Sequence, residues 1–221
     1  MRSVAVDDYL KAIYEIEREE GKVATSALAA RVGITPGSAT GMIKRLADMN
    51  LVAHEPYRGV VLTEVGQRVA LRVVRQHRLV ERFLADALAV PWDRVHEEAH
   101  RIEHVLSEYL EERMDSVLGR PTTDPHGSPI PTRNGAVSDS VCVPLADMKP
   151  ENTVVIVEVS DHDPALLRYM GELGLFPETE VAIVAKAPFG GPLTVRVGGD
   201  QRTVSREVAR HVFVVETTTQ G

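Results

Sequence analysis

This chain has little of what would tie it to the outside of a cell. Its 221 residues hold one cysteine, Cys142, so no disulfide can close within it, and that usage fits a reducing compartment. No apolar run approaches the roughly 18 residues that a membrane helix needs. The N-terminus lacks the apolar stretch of a secretion signal. The expected location is the cytoplasm, with no membrane partner. Repeats and low-complexity tracts are missing as well.

Positive charge is also short. There are 25 Lys and Arg against 32 Asp and Glu, a formal net charge of -7, which argues against nucleic acid. The distribution reverses that argument. Residues 1–80 carry 12 basic and 9 acidic side chains, a net of +3, and residues 81–221 carry 13 and 23, a net of -10. A basic N-terminal third on an acidic remainder is the asymmetry of a nucleic-acid reader joined to something else.

Hydrophobic periodicity organises that third. Residues 4–20 read as a helix ended by Gly21. Thr25 or Ser26 can cap the next helix, which runs from Ala27 to Val32. After the turn Gly33-Ile34-Thr35-Pro36, a second helix from about Gly37 to Met49 buries Ala39, Met42, Ile43 and Leu46. Strand, turn and strand follow at 51–54, 57–59 and 60–63. Helix, turn, helix and ribbon make a winged helix-turn-helix. Its second helix should present Thr35, Pro36, Gly37, Ser38 and Thr40 to base edges. Lys44 and Arg45 suit phosphates, Arg58 at the wing tip suits backbone or minor groove, and Thr25 and Ser26 suit a phosphate at a helix start.

A long helix spans Glu64 to about Leu88, with His77 and Glu81 one turn apart on it. The densest chemistry comes next, in Val95-His96-Glu97-Glu98-Ala99-His100-Arg101-Ile102-Glu103-His104. In an unbroken helix from Arg94 to about Leu118, His96, His100, Glu103 and His104 fall within an arc of about 100°. Beside them runs an apolar stripe of Val95, Ala99, Ile102, Leu106, Leu110 and Val117. Imidazoles and a carboxylate at the edge of a core are a transition-metal donor set. His96-Glu97-Glu98-Ala99-His100 also spells the zinc-hydrolase pattern H-E-x-x-H. His104 follows too closely for the third ligand of such an enzyme, and no cleft or sheet is expected beside it, so an enzyme is disfavoured. A metal-sensing adaptor whose winged helix binds protein is the third reading.

Gly119 to about Lys149 lacks periodicity and reads as a tether. Strands are expected at 154–159, 181–185, 193–197, 202–204 and 212–215, with a helix at 164–173 and a hairpin at Gly198-Gly199, the pattern of a small β-barrel. The fold class is therefore mainly α with a small β module. The expected parts are a winged helix at 1–72, a helical dimerisation and metal domain at 73–120, a linker at 121–150 and an SH3-like barrel at 151–216.

Several stretches in this order resemble the diphtheria toxin repressor family of iron- and manganese-dependent regulators. They are Asp8-Tyr9-Leu10-Lys11-Ala12-Ile13-Tyr14, Tyr57-Arg58-Gly59-Val60-Val61-Leu62-Thr63, His77-Arg78-Leu79-Val80-Glu81-Arg82, Val95 to Ser107, and Asp124-Pro125-His126-Gly127-Ser128-Pro129-Ile130-Pro131. Leu173-Gly174-Leu175-Phe176-Pro177 with Val181 resembles the SH3-like module of that family and of ferrous-iron transport accessory proteins. The resemblance implies a primary metal site at Asp8, His100, Glu103 and His104. It implies an ancillary site at His77, Glu81 and His96, completed by a barrel residue, for which Asp163 is the first candidate and Asp161 or His162 the alternatives. Iron-type members carry Met and Cys at the positions of Asp8 and His100. Carboxylate and imidazole harden the site and favour Mn²⁺ over Fe²⁺, with Zn²⁺, Co²⁺ and Cd²⁺ as substitutes in vitro. Lys11 stands where the binuclear manganese-type site has a Glu, which implies two separate sites. The resemblance further implies a homodimer on a palindromic operator, with metal as co-repressor and no small organic substrate.

Overall fold

The computed structural model describes residues 3–55, 57, 59–138 and 141–217. They form two compact units. The first runs to His77 and takes in Glu103–Leu106 and Pro131–Ala136; the second holds Arg78–Ile102, Ser107–Ile130 and the chain from Val137 onward.

In the first unit, α1 (Val4–Glu20), α2 (Thr25–Val32) and α3 (Pro36–Asp48) precede the antiparallel ribbon of β1 (Val52–Glu55) and β2 (Gly59–Leu62). The apolar spacing of α1 buries Val6, Leu10, Ile13 and Ile16, and Gly21 in the left-handed region ends it. Thr35 caps α3 by accepting from Ser38 N, with Pro36 in the first turn. Ala39 and Leu46 are fully buried, while Met42 and Ile43 are only half-buried. The cap expected at Thr25 or Ser26 is not there. Helix α2 already starts at Thr25, its cap position is Ala24, and no side chain bonds the first turn.

Helix α4 (Glu64–Leu88) starts under Thr63, whose hydroxyl accepts from Gly66 N at 3.1 Å. A Cβ on Gly66 would lie 1.9 Å from the Leu51 carbonyl oxygen. Gly66→Ala gains about 1 kcal/mol of helix propensity and loses more to that backbone clash. The net expectation is a loss of roughly 2–4 kcal/mol, read as a lower urea midpoint; a gain in stability would contradict this packing.

The metal-rich helix departs from the sequence reading. Helix α5 (Val95–Ile102) stops, Glu103–Val105 form a 3₁₀ turn, and α6 (Glu108–Val117) begins afresh. Ser107 causes the restart by accepting from Leu110 N at 3.3 Å, with Glu108 favourable in the first turn. The unbroken helix and its single arc of four ligands are thus replaced by two helices with a turn between. The apolar stripe is not a core edge throughout. Val95 and Ala99 are buried, but Ile102, Leu110 and Val117 are exposed, as is Tyr109.

The expected tether is also structured. Thr122–Ile130 forms a tight loop closed by Ile130 N to Thr122 O at 2.8 Å and Asp124 N to Ser128 O at 3.0 Å. Val159 N bonds His126 O at 2.9 Å, so this loop is laced to the β module. Gly127 is required there: its φ is +91°, and a Cβ would meet Val157 O at 2.0 Å.

The β module starts earlier than residue 151. It comprises β3 (Val143–Pro144), β4 (Thr153–Val159), α7 (Pro164–Glu172), β5 (Glu180–Lys186), β6 (Leu193–Val197), β7 (Asp200–Val204), α8 (Arg206–Arg210) and β8 (Val212–Glu216). The antiparallel sheet runs β3-β8-β4-β5-β6-β7, with irregular register at Val157 and Val184 that increases its bend. Leu145, Ala146 and Met148 lie in its core with Ile156, Leu167, Met170 and Val214.

Candidate metal centres and DNA-facing surface

In the first unit, α1 and the 3₁₀ turn bring together residues about ninety positions apart in the chain. Asp8 Oδ1 lies 2.9 Å from His104 Nε2, and His104 Nε2 lies 3.3 Å from Glu103 Oε1. Glu103 is fully buried. Asp8 Oδ1 is buried yet has no hydrogen-bond partner among the described residues, its approach to His104 lacking the angles of one. A shielded carboxylate oxygen beside an imidazole nitrogen and a second carboxylate is a donor set of the kind that can hold a divalent cation. His100 stands on α5, three residues before Glu103, and is exposed.

The second unit holds a further set. Glu81 comes from α4, one turn beyond His77, and His96 from α5. His96 Nδ1 lies 3.1 Å from Glu81 Oε1 and 3.2 Å from Asp161 Oδ2. Asp163, the first barrel candidate, does not join them. It caps α7, its Oδ1 accepting from Ala165 N at 2.8 Å and Leu166 N at 3.3 Å, and Asp161 occupies the place foreseen for it. His162, the other alternative, lies 3.3 Å from Asp161.

Two donors in this set have no role in the sequence reading. Asp124 and His126, both buried, come within reach of Glu81. The tight loop orients them. Asp124 Oδ1 accepts from His126 N at 2.8 Å and Ser128 N at 3.0 Å, which leaves Oδ2 over. His126 Nε2 donates to Trp92 O at 2.8 Å, so the lone pair of a neutral ring sits on Nδ1. Asp124 Oδ2 and His126 Nδ1 are both buried without a hydrogen bond among the described residues. His126 Nδ1 is 3.9 Å from Asp161, and Arg78 Nε is 3.6 Å from Asp124 Oδ2. The pattern Asp-x-His-Gly was the available signal: two donors on one tight loop, with a glycine permitting close backbone approach.

Electrostatics show how this set is balanced without an ion. Burial alone would depress the His96 imidazole, but the hydrogen bonds and charges of Asp161 and Glu81 push it up to about 11. Asp161 is held well below the usual carboxylate range: burial works against this, and His96 with the charges of His162 and His126 overcomes it. Burial and the Glu81 charge raise Asp124 to about 7, against the pull of Arg78 and His126. The His96 contribution to metal-free stability is full below about 6.5 and is lost as pH climbs towards 11. Asp124 acts in the same direction, its stability lost as pH rises from its ordinary 3.8 through about 7. Asp161 has the opposite sign, but its contribution changes as pH falls through and below its ordinary 3.8, outside the window from 5.5 to 8.5. Chelator-treated protein should therefore lose on the order of 1–3 kcal/mol between pH 5.5 and 8.5, and Asp124→Asn should flatten the acid half of that slope. A thermal midpoint constant across the range would contradict these assignments.

Most of the nucleic-acid candidates are solvent-exposed on the helix-turn-helix. Thr35, Pro36, Ser38, Thr40 and Lys44 are exposed on α3, and Ser26 is exposed and Thr25 half-buried at the start of α2. The Thr40 hydroxyl donates to Pro36 O at 2.9 Å. Arg58 lies outside the described residues. Asp8 lines a largely apolar groove whose opposite wall is α3, at Ser38, Gly41, Met42 and Arg45.

The zinc-hydrolase pattern loses its base in this arrangement. Glu97 is exposed and paired with Arg101, which also takes Glu98 at 2.9 Å. No helix among the described residues is long and apolar enough to cross a membrane.

Comparison with known proteins gives three family matches along the chain. Residues 2–60 match the iron dependent repressor N-terminal DNA binding domain, residues 63–132 its metal binding and dimerisation domain, and residues 143–216 the FeoA domain. The chain is 33% identical over 219 residues to the iron-dependent repressor IdeR of Mycobacterium tuberculosis, covering 93% of this chain and 94% of that one. It is 32% identical over 187 residues to the diphtheria toxin repressor of Corynebacterium glutamicum, covering 80% and 82%. Among solved structures, a manganese-dependent transcriptional repressor in complex with manganese superposes with a TM-score of 0.91 at 36% identity, covering 96% of this chain and all of that one.

Proposed function

The chain belongs to the diphtheria toxin repressor family of metal-dependent transcriptional repressors, and on that premise we propose that Mn²⁺ is the co-repressor that prepares its dimer for a palindromic operator. Members of this family are repressors and not enzymes, so the H-E-x-x-H match is incidental. The observation that carries the proposal is the meeting of Asp8 with Glu103 and His104 in the unit that contains the winged helix. An ion held there ties α1 to the 3₁₀ turn, and α1 forms a wall of the groove facing α3. Binding energy at these donors becomes a preference for one placement of the reading helix.

The first ligand set is Asp8, Glu103 and His104, with His100 supplied from the same segment as Glu103. The second is Glu81, His96 and Asp161, with His77 from the preceding turn of α4; Asp124 and His126 add donors to it. Carboxylates and imidazoles without sulfur suit Mn²⁺, and the absence of thiolate removes an oxidation liability. Fe²⁺ is the competing ion. The exposed Tyr109, Leu110 and Val117 of α6 are a suitable apolar face for the second protomer.

The test is operator binding by fluorescence anisotropy, on promoter DNA of the protein's own gene, with Mn²⁺, Fe²⁺ or chelator. Mn²⁺ should tighten binding at least a hundredfold. Equal affinity of the chelated protein would remove the switch, and a response to Fe²⁺ alone would remove the manganese assignment. Lys44→Ala should weaken binding to all sequences alike and reduce the log-log salt slope by about 1, as loss of one phosphate contact requires. A changed base preference with an unchanged slope would place Lys44 at a base instead.

A further inference from the structure

Lys11 is buried in the first unit between groups assigned above to different ligand sets. Its Nζ lies 2.8 and 3.2 Å from the two Glu103 carboxylate oxygens and 3.2 Å from His77 Nδ1. His77 Nδ1 is itself 2.5 Å from Glu103 Oε2. All three side chains are nearly inaccessible to solvent. A carboxylate and an imidazole nitrogen converging on one buried point form a cation's coordination shell, and here the cation is an ammonium on a tether. We propose that Lys11 is a built-in counter-cation of the Glu103 site, one that aims the carboxylate at the incoming ion and by its charge sets how much metal is needed to fill the site. This rests on the assignment of Asp8, Glu103 and His104 as metal ligands.

The geometry gives Lys11 both parts of that role. Glu103 Oε1 is the oxygen that faces His104, at 3.3 Å, while Oε2 faces His77. Lys11 contacts both oxygens and fixes the carboxylate between them. Asp8 and Lys11 lie three residues apart on α1, so one helix face carries a ligand and the charge that opposes its ion. Asp8 and Glu103 together bring two negative charges, and Lys11 cancels one before any metal arrives. A divalent ion then enters a site with one net negative charge rather than two. In a shielded environment like charges a few ångströms apart interact strongly, so the ammonium lowers affinity for the metal while stabilising the empty site.

This separates a counter-cation from a plain structural contact by the sign of one effect. A structural or merely orienting lysine would lose metal affinity when replaced. A competing cation would gain it. The measurement is Mn²⁺ binding to the full chain by isothermal titration, together with thermal midpoints in chelator and in saturating Mn²⁺. Lys11→Met should melt lower than wild type in chelator, recover most of the difference in Mn²⁺, and bind the ion at the Glu103 site at least tenfold tighter. Lys11→Arg, which keeps the charge, should stay within threefold of wild type. If Lys11→Met does not fold, Lys11→Gln offers a neutral donor to Glu103 and should show the same gain in affinity. Unchanged or weaker Mn²⁺ binding in the neutral variant overturns the proposal. A wild type that binds no divalent ion, or whose affinity at the Glu103 site is not weakened by Asp8→Ala, overturns instead the ligand assignment on which it rests.

Discussion

Asp8→Ala will leave the metal-free protein about as stable as wild type and will abolish its response to metal. The two halves follow from one observation. Asp8 is half-buried, its Oδ1 makes no hydrogen bond among the described residues, and its helix buries Val6, Leu10 and Ile13 without its help. Removing it breaks little, so a change under ~1 kcal/mol is expected in chelator. With the carboxylate gone, α1 has no donor at this site, and an ion held by Glu103 and His104 no longer reaches it. Operator affinity in Mn²⁺ should fall at least a hundredfold, towards that of the chelated wild type. Glu103→Ala makes the contrast. It removes a ligand and also leaves Lys11 buried without its carboxylate, a change of the kind that costs about 3–5 kcal/mol. Thermal melts in chelator with operator titrations in Mn²⁺ check both. An Asp8→Ala protein that still answers Mn²⁺ would show that α1 is not held through metal.

What the sequence made legible is what local chemistry controls. The winged helix was readable because Gly21, Thr35-Pro36 and the turn at 57–59 punctuate it with local signals. The ligand Glu103 was readable by type, but its placement was not. Helical periodicity continues through 102–106 as a pattern, and the Ser107 cap that breaks it is a single hydroxyl accepting one amide. That break turns Glu103 inward. Asp124 and His126 sat in a stretch whose Pro, Gly and Ser content reads as tether. Their burial depends on Val159 N bonding His126 O and on Gly127 fitting against the Val157 carbonyl, pairings with a strand thirty residues on that no local pattern encodes. The start of the barrel was placed too late for a similar reason. Leu145, Ala146 and Met148 are too few to signal a strand, and their burial comes from a turn after β3 that packs against β8 and α8.

Asp161→Ala and Asp163→Ala, two residues apart, should behave as different kinds of mutation. Asp161 Oδ2 lies between His96 Nδ1 at 3.2 Å and His126 Nδ1 at 3.9 Å, so its carboxylate serves donors from α5 and from the 122–130 loop. Asp161→Ala should weaken the second Mn²⁺ by tenfold or more, leave the ion at Asp8 and Glu103 in place, and let the His96 imidazole fall from about 11 towards its ordinary value. Asp163→Ala should leave both ions bound as in wild type. Its effect is on α7, where losing the acceptor for Ala165 N and Leu166 N costs about 1 kcal/mol, the usual worth of a helix cap. Metal content after gel filtration in Mn²⁺, paired with histidine titrations by NMR in chelator, separates the two. If Asp163→Ala lost the second ion while Asp161→Ala kept it, the barrel's contribution to the site would have to come from the cap of α7 rather than from the link that follows β4, and the cap would be a feature of the empty protein alone.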